Sequence, residues 1–473
     1  MEQELIGRLH EQQLLKACFE SNKAELVAVY GRRRIGKTFL VRKFFKDSFD
    51  FYTTGIYEGT REEQLSFFNK QLNSYSNLSF PKANNWFDAF DQLKMLLSAS
   101  RKKRKVVFFD ELPWLDTQKS RFLKAFELFW NSWASAQSQL MIVVCGSATT
   151  WMTEKLFGDK GGLHNRVTQS IGLAPFTLNE TEQYLKSIGI EWDRLQITEC
   201  YMTMGGVPYY LSKLKKGYSL SQNIDSLFFT KGAELRLEYA FLFRSLFRDS
   251  ELYRKVVEVL SRKAMGMTRQ ELLIALKLDD GGRLTEILRN LQLCDFIRKY
   301  QGFGMKERNS LYQLTDLYTL FYLHFLSDGT EYDEHSWTNM VDNPKRRSWR
   351  GYAFEQVCLH HIAQIKASLG ISGVLTNVCS WIGKADGGSG QIDLLIDRRD
   401  DVVNLCEMKF ANAPFVLTKD YMLKMQTRKE LFRQATKTRK ALHLTMVTTY
   451  GVAPGVYSGQ IQSEVTLEQL FGE

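Results

Sequence analysis

The chain has 473 residues, 44% of them hydrophobic and 25% charged, with only 7 prolines; this excludes a wholly disordered or proline-spaced chain and fits about two to four folded domains. Its 63 Lys+Arg against 53 Asp+Glu leave a formal charge of +10, too weak a field over so large a surface to name a polyanion partner unless the charges cluster. Seven scattered cysteines without a C-x-x-C pair, and no apolar run approaching about 18 residues, exclude a disulfide framework, a zinc knuckle and a membrane span, so a cytoplasmic protein in a reducing compartment is expected.

The first residues, Met1 to Ile6, show no basic region followed by an apolar stretch, and no signal peptide is expected. Up to about residue 175, short apolar runs alternate with helical patterns. Residues 26–30, 106–109 and 140–145 read as buried strands, and 38–45, 61–71, 86–97 and 121–134 as helices. Such alternation predicts βαβ units and a parallel sheet. The basic block 101–105 precedes a strand and is expected to face solvent. From about 179 to 260 the pattern is helical, and 268–314 reads as a helix–turn–helix followed by a hairpin. The polar stretch 331–347, with Asn343-Pro344, is the best linker candidate. Beyond it a fresh α/β pattern begins.

Directly after the first strand stands Gly31-Arg32-Arg33-Arg34-Ile35-Gly36-Lys37-Thr38, which fits G-x-x-x-x-G-K-[ST] in full. The glycines let backbone N–H groups curl around phosphate oxygens, and the following helix adds the positive end of its dipole. Lys37 then reaches the β/γ-phosphates, the Thr38 hydroxyl holds Mg²⁺, and the three arginines ring the phosphates. Val106-Val107-Phe108-Phe109-Asp110-Glu111 supplies the second half of such a site. Asp110 is expected to hold Mg²⁺ through water and Glu111 to polarise the attacking water, which makes hydrolysis the expectation. Ser147, at the end of the next strand, reads either as a polar sensor between γ-phosphate and Glu111 or as a helix N-cap. Arg166, in His164-Asn165-Arg166, reads either as an arginine finger or as a solvated loop residue. Gly205-Gly206-Val207-Pro208 reads as a lid hinge or a simple helix break.

Together, Ile6-Gly7-Arg8, the phosphate loop, the Asp110-Glu111 pair, Gly146-Ser147 and Gly205-Gly206-Val207-Pro208 resemble the archaeal-type ATPase family, an AAA+/STAND-related P-loop family. The resemblance spans roughly the first half of the chain. It implies ATP as the nucleotide and places Gly7 and Arg8 near the base.

Thr268 with Glu271 three residues on reads as a capping box that opens the helix–turn–helix. Its second helix, 283–293, buries Leu284, Ile287, Leu288 and Leu291. A hairpin with its tip at Gly302–Gly304 completes a winged-helix pattern. Arg283, Arg289, Arg298, Lys299, Lys306 and Arg308, if exposed, meet DNA phosphates. The other reading is a module that only packs against the rest of the protein, and a net of +4 over residues 251–310 favours neither.

Near the C-terminus, Asp393 on one strand and Glu407-Met408-Lys409 on the next form a D…E-x-K pattern, with Glu355 on an upstream helix. Residues two apart on a strand share a face, so Glu407 and Lys409 point the same way. Carboxylates holding Mg²⁺ beside a lysine suit phosphodiester hydrolysis. The pattern resembles the PD-(D/E)xK restriction-endonuclease-like nucleases. Downstream, residues 421–440 carry seven basic side chains and one acid, as on a helix facing nucleic acid. An intact nuclease site and a nuclease-like fold without activity both remain open; the three histidines at 360, 361 and 443 are expected to be structural.

The expectation is thus an α/β protein: a P-loop NTPase parallel sheet with a helical lid (1–235), a winged-helix domain (236–335) and a restriction-endonuclease-like α/β domain (345–473). ATP and Mg²⁺ are the expected cofactors and DNA the expected partner. If Arg166 acts in trans, a homo-oligomer is required.

Overall fold

The structure is a computed structural model that describes residues 4–76, 79–147, 149–157, 163, 165–247, 249–327, 333–385 and 388–472. His164, Ala148 and the first two residues of the expected linker, Glu331 and Tyr332, lie outside the described residues. The chain divides into two compact units, Met1–Ala174 and Pro175–Glu473. The helices from Leu178 to Leu246 belong to the second.

In the first unit, β1 (Glu25–Tyr30), β2 (Phe51–Thr54), β3 (Lys105–Asp110), β4 (Leu140–Gly146) and β5 (Gln169–Gly172) form a sheet in the order β2-β3-β4-β1-β5, with every pairing parallel. The three central strands are the unbroken apolar runs that the sequence predicts. The edge strands β2 and β5 bury only some of their residues, so they lack that signal. An aromatic core built on Phe51, Phe68, Trp86, Phe90, Phe109 and Phe126 fills one face, and Val27, Val29, Leu40, Val143 and Ile171 fill the other. This strand order sets the ends of β1, β3 and β4 side by side, at the carboxyl edge where open parallel sheets bind ligands.

Part of the basic block before β3 departs from its expected solvent-facing role. The Arg104 guanidinium donates to the carbonyls of Lys23 and Ser138, both at 2.7 Å, and Lys105 donates to the Leu97 carbonyl at 2.8 Å. Both cations close loops at the lower edge of the sheet, because unpaired carbonyls there demand donors.

In the second unit, helix Arg194–Met204 ends at Gly205, and Pro208 opens the next helix. Gly206 has φ +64°, and a Cβ there would lie 2.3 Å from the Phe176 carbonyl oxygen. The turn is therefore a closely packed helix break. Helices Arg269–Leu276 and Gly282–Leu293 follow the short β6 (Met267–Thr268), with the Thr268–Glu271 capping box formed and Leu284, Ile287, Leu288 and Leu291 buried. β7 (Ile297–Tyr300) and β8 (Leu311–Leu314) make an antiparallel hairpin in a three-stranded sheet ordered β6-β8-β7.

The hairpin tip does not stand free. The Phe303 N–H donates to the Ser380 carbonyl at 2.8 Å, and its ring meets Phe432 edge-on at 4.9 Å. An apolar ring between two glycines seeks burial, and here the C-terminal sheet provides it. Of the six basic residues considered for DNA, Lys299 pairs with Glu307 at 2.9 Å and Arg283 pairs with Asp249.

The expected linker is also packed. Trp337 is 1% exposed, with its ring against Phe321, Phe325 and Trp349 at 5.2, 5.1 and 5.7 Å. Asp225 accepts from the Trp337 and Thr338 N–H groups at 2.8 and 3.2 Å. Polar composition hid a segment that one tryptophan and one buried aspartate anchor.

The helix Pro344–His360 begins inside the stretch expected as a linker, with Asn343 as its cap. After it come β9 (Thr376–Ala385), β10 (Gly388–Arg398), β11 (Val402–Lys409), β12 (Ala441–Thr448) and β13 (Ser463–Thr466), in the order β13-β12-β11-β10-β9. β9, β10 and β11 are antiparallel to their neighbours, and β11, β12 and β13 are parallel. Helix Lys419–Thr436 connects β11 to β12 and buries Met422, Met425 and Phe432 against the sheet. All seven cysteines are free and buried, and among the described residues no helix is long and apolar enough to cross a membrane.

His361 joins two helical segments of this unit. Its Nε2 accepts from the Leu178 N–H at 2.9 Å, and its Nδ1 lies 2.8 Å from the Val357 carbonyl, so Nδ1 carries the proton. Burial pushes its pKa from 6.5 down to about 4. Between those values the unfolded chain binds the extra proton and the folded chain does not, so stability falls as pH drops through that window. By pH 5 the expected loss is on the order of 2 kcal/mol. Denaturant midpoints at pH 7 and pH 5 check this: the acid shift should shrink in His361→Gln, and equal shifts in both proteins would assign it elsewhere.

Candidate functional site

Between β1 and helix Lys37–Phe44 the loop 31–36 is shaped by its two glycines. Gly31 has φ +142°, and a Cβ there would sit 2.4 Å from the Leu173 carbonyl oxygen. Gly36 has φ +86° and leads directly into the helix N-terminus. Ile35, 1% exposed, pins the loop to the core, and Arg32 is equally buried rather than ringing a ligand at the surface. Lys37 lies along the loop, its Nζ 3.0 Å from the Gly31 carbonyl oxygen and 2.8 Å from that of Arg32. Arg8 approaches from the N-terminal side, where its guanidinium lies 3.5 Å from the Ile35 carbonyl oxygen and 3.7 Å from Glu11. Gly7 before it has φ +62°.

The Thr38 hydroxyl donates to the Asp110 carboxylate, 3.0 Å from both oxygens. Burial, reinforced by the adjacent Glu111 charge, pushes the Asp110 carboxyl up to about 6 despite the Thr38 hydrogen bond. The Cys145 thiol beneath it adds a further hydrogen bond, a contact that sequence reasoning missed because a cysteine in an apolar run gives no polar signal. Glu111 adopts φ +44°, a left-handed conformation that costs a non-glycine residue about 1–2 kcal/mol. Ser147 holds it there: its N–H lies 3.1 Å from one Glu111 oxygen, and its hydroxyl 2.8 and 3.0 Å from the two. A hydroxyl and a carboxylate at hydrogen-bond distance are hard oxygen donors of the kind Mg²⁺ takes, so these residues fit that ion. Arg166 is exposed in the turn before β5, and no hydrogen bond or ion pair from its side chain links it to the loop among the described residues.

The C-terminal residues divide between two places. Pairing of Leu394 with Cys406 sets Asp393 one step further on, beside Glu407, but the register shifts between Ile392 and Leu395 on the β9 side. Asp393 lines a cavity of about 620 Å³ together with Glu355, Tyr352, Gln391 and Arg298. Glu407 lines a different, small cavity with Met425 and Arg428. Lys409 sits 3.0 Å from Glu407, as their shared face predicts, Arg428 sits at 2.7 Å, and the Tyr421 hydroxyl donates to the same carboxylate. Although burial alone would raise the Glu407 pKa, these two cations and the phenol together hold it below the usual carboxylate range. Glu355, by contrast, is pushed up to about 8 by burial and by Asp393. Lys409 and Glu407 act on it as well, so all four side chains share one electrostatic neighbourhood.

Among the described residues no group of three or more His, Cys, Asp and Glu side chains converges as a metal site. The expected three-carboxylate set of Glu355, Asp393 and Glu407 is therefore not assembled, because Glu407 is taken by its cations. Glu355 and Asp393 remain as oxygen donors facing one cavity, enough for a hard cation that takes its other ligands from water or phosphate. Spacing along the chain does not reveal Arg428 and Tyr421 as partners of Glu407; the basic run 421–440 is the signal the sequence carries.

Residues 5–214 match a family model described as an ATPase domain predominantly from Archaea. An uncharacterized protein of Methanocaldococcus jannaschii is 23% identical over 364 residues, covering 76% of this chain and 77% of that protein. An uncharacterized ATP-binding protein of the same organism is 43% identical over 42 residues, 9% of this chain and 71% of that protein. Among solved structures, the Walker-type ATPase of Pyrococcus abyssi is similar at 18% identity and a TM-score of 0.48, over 68% of this chain and 96% of that one. The segment 5–214 of this chain is an archaeal-type ATPase domain.

Proposed function

We propose that the protein binds and hydrolyses ATP in its N-terminal unit and acts on DNA through a metal-dependent nuclease site in its C-terminal region. The observation that carries the first part is the Thr38–Asp110 contact with Glu111 held beside it by Ser147. In this reading the loop N–H groups and Lys37 bind the β/γ-phosphates, and Gly7 and Arg8 flank the base. Glu111 accepts a proton from the attacking water, while Ser147 keeps its carboxylate oriented. Mg²⁺, when bound at Thr38 and Asp110, neutralises phosphate charge. Arg166 is the candidate finger, and since it is exposed it is suited to act on a neighbouring copy.

Three parts divide this work: ATPase with helical lid (1–235), winged helix (236–335) and nuclease-like domain (345–473). The nuclease reading is supported by Glu355 and Asp393 sharing one cavity, with Lys409 electrostatically within reach. A second reading is favoured by the neutralised Glu407: an ATP-dependent DNA-binding or signalling switch that does not cut. Incubating the full chain with DNA and Mg²⁺ or Mn²⁺, with and without ATP, separates the two. Cutting by wild type and none by Asp393→Ala is expected; DNA left intact by both proteins would discard the nuclease and leave the switch.

A further inference from the structure

We propose that Arg298, on strand β7 of the hairpin, is the phosphate-gripping residue of the Glu355–Asp393 cavity, which takes the phosphate of a nucleic-acid strand together with a divalent cation. The proposal rests on the nuclease reading but concerns ligand binding, which is measured without cutting.

The hairpin brings Arg298 there. Its tip is tied to the edge strand β9 through the Phe303–Ser380 hydrogen bond and the Phe303–Phe432 contact. That docking turns the hairpin's inner face toward the helix Pro344–His360, and Arg298 lines the same cavity as Glu355 and Asp393. The guanidinium is held in place from two sides. Its Nε donates to Gln313 Oε1 at 2.6 Å, and its plane lies over the Tyr300 ring at 4.4 Å. Its two terminal nitrogens make no hydrogen bond or ion pair among the described residues. Among the described residues Glu355 likewise has no partner of that kind, and Asp393 accepts only from Gln391, at 2.7 Å.

The Arg298 guanidinium, the Asp393 carboxylate and the Glu355 carboxyl thus face one cavity without closing into an ion pair, and a divalent cation there would displace the Glu355 proton. Arg298, Glu355 and Asp393 are each half-buried, and even partial burial of an uncompensated charge carries a cost, so the arrangement is poised for a ligand. A lone phosphate would satisfy Arg298 but meet the Asp393 carboxylate; a lone metal ion would satisfy the carboxylates but meet the arginine. A phosphate carrying a divalent cation satisfies both, with the planar guanidinium fork matched to phosphate oxygens. The volume of about 620 Å³ lies within the span of small-ligand sites and accommodates a strand end or dinucleotide.

The test is calorimetric binding of a 5′-phosphorylated thymidine dinucleotide to the full-length protein in Ca²⁺, with EDTA as the metal-free arm. Wild type is expected to bind in a Ca²⁺-dependent way, R298Q to bind at least about tenfold more weakly, and R298K to recover part of the loss. A far-UV circular-dichroism spectrum and a urea midpoint unchanged in R298Q show that the unit holding Arg298 remains folded. Binding by R298Q within twofold of wild type, binding indifferent to Ca²⁺, or no binding by wild type would each overturn the proposal. DNA cleavage is scored separately. Arginine- and Ca²⁺-dependent binding without cutting removes the nuclease and keeps Arg298 as the phosphate residue; cutting that persists with indifferent R298Q binding does the reverse.

Discussion

Glu111→Gln is expected to bind ATP within about twofold of wild type and to release phosphate roughly 100-fold more slowly or worse. The two effects separate because the amide preserves the shape of the side chain and one oxygen acceptor. Ser147, with its N–H and hydroxyl 2.8–3.1 Å from the Glu111 oxygens, can still hold residue 111 in place. What is lost is the lone pair that takes a proton from water. The left-handed backbone at Glu111 points the same way: a strained conformation persists only where its surroundings impose it. Phosphate-release kinetics beside fluorescent-nucleotide binding check this, and undiminished release by the variant would remove Glu111 from the chemistry.

The second large effect is on binding. Lys37→Ala is expected to weaken ATP on the order of 100-fold. Lys37 is only 5% exposed, with its ammonium already resting on the Gly31 and Arg32 carbonyls. Its desolvation is therefore met before any ligand arrives, and a phosphate gains a preorganised donor with little rearrangement. Alanine removes that donor and leaves two loop carbonyls without it. Equilibrium titration with a fluorescent ATP analogue reads the loss. Wild-type affinity in Lys37→Ala would mean that the loop does not hold phosphate.

The two ends of the chain differ in how far they can be read from sequence. The phosphate loop, the Asp110-Glu111 strand end and Ser147 are each short, contiguous patterns. Their strands are buried along their length apart from Tyr30 at the end of β1, and that is when an apolar run is unambiguous. The capping box at Thr268 and the Glu407–Lys409 pair are legible for the same reason, because spacing alone sets which atoms meet. The edge strands β2 and β5 carry mixed faces and escape this reading. So does residue 337, where a single tryptophan inside a polar stretch turns an expected linker into packed core.

By itself, then, the sequence determined the nucleotide-binding loop, the buried central strands with the helices between them, and the identity of the acidic and basic residues worth testing. These depend on periodicity and on neighbours within a few positions. Tertiary structure alone decided which of those charges meet. Phe303 docks the hairpin on Ser380, nearly eighty residues away, and so turns Arg298 from an expected DNA-facing residue into a wall of the Glu355–Asp393 cavity. Arg428 and Tyr421 reach back from a helix to occupy Glu407, while Asp393 lines the cavity of Glu355 and Arg298. Such pairings arise from packing between distant segments, where burial fixes direction and a residue's own neighbours along the chain carry no record of it.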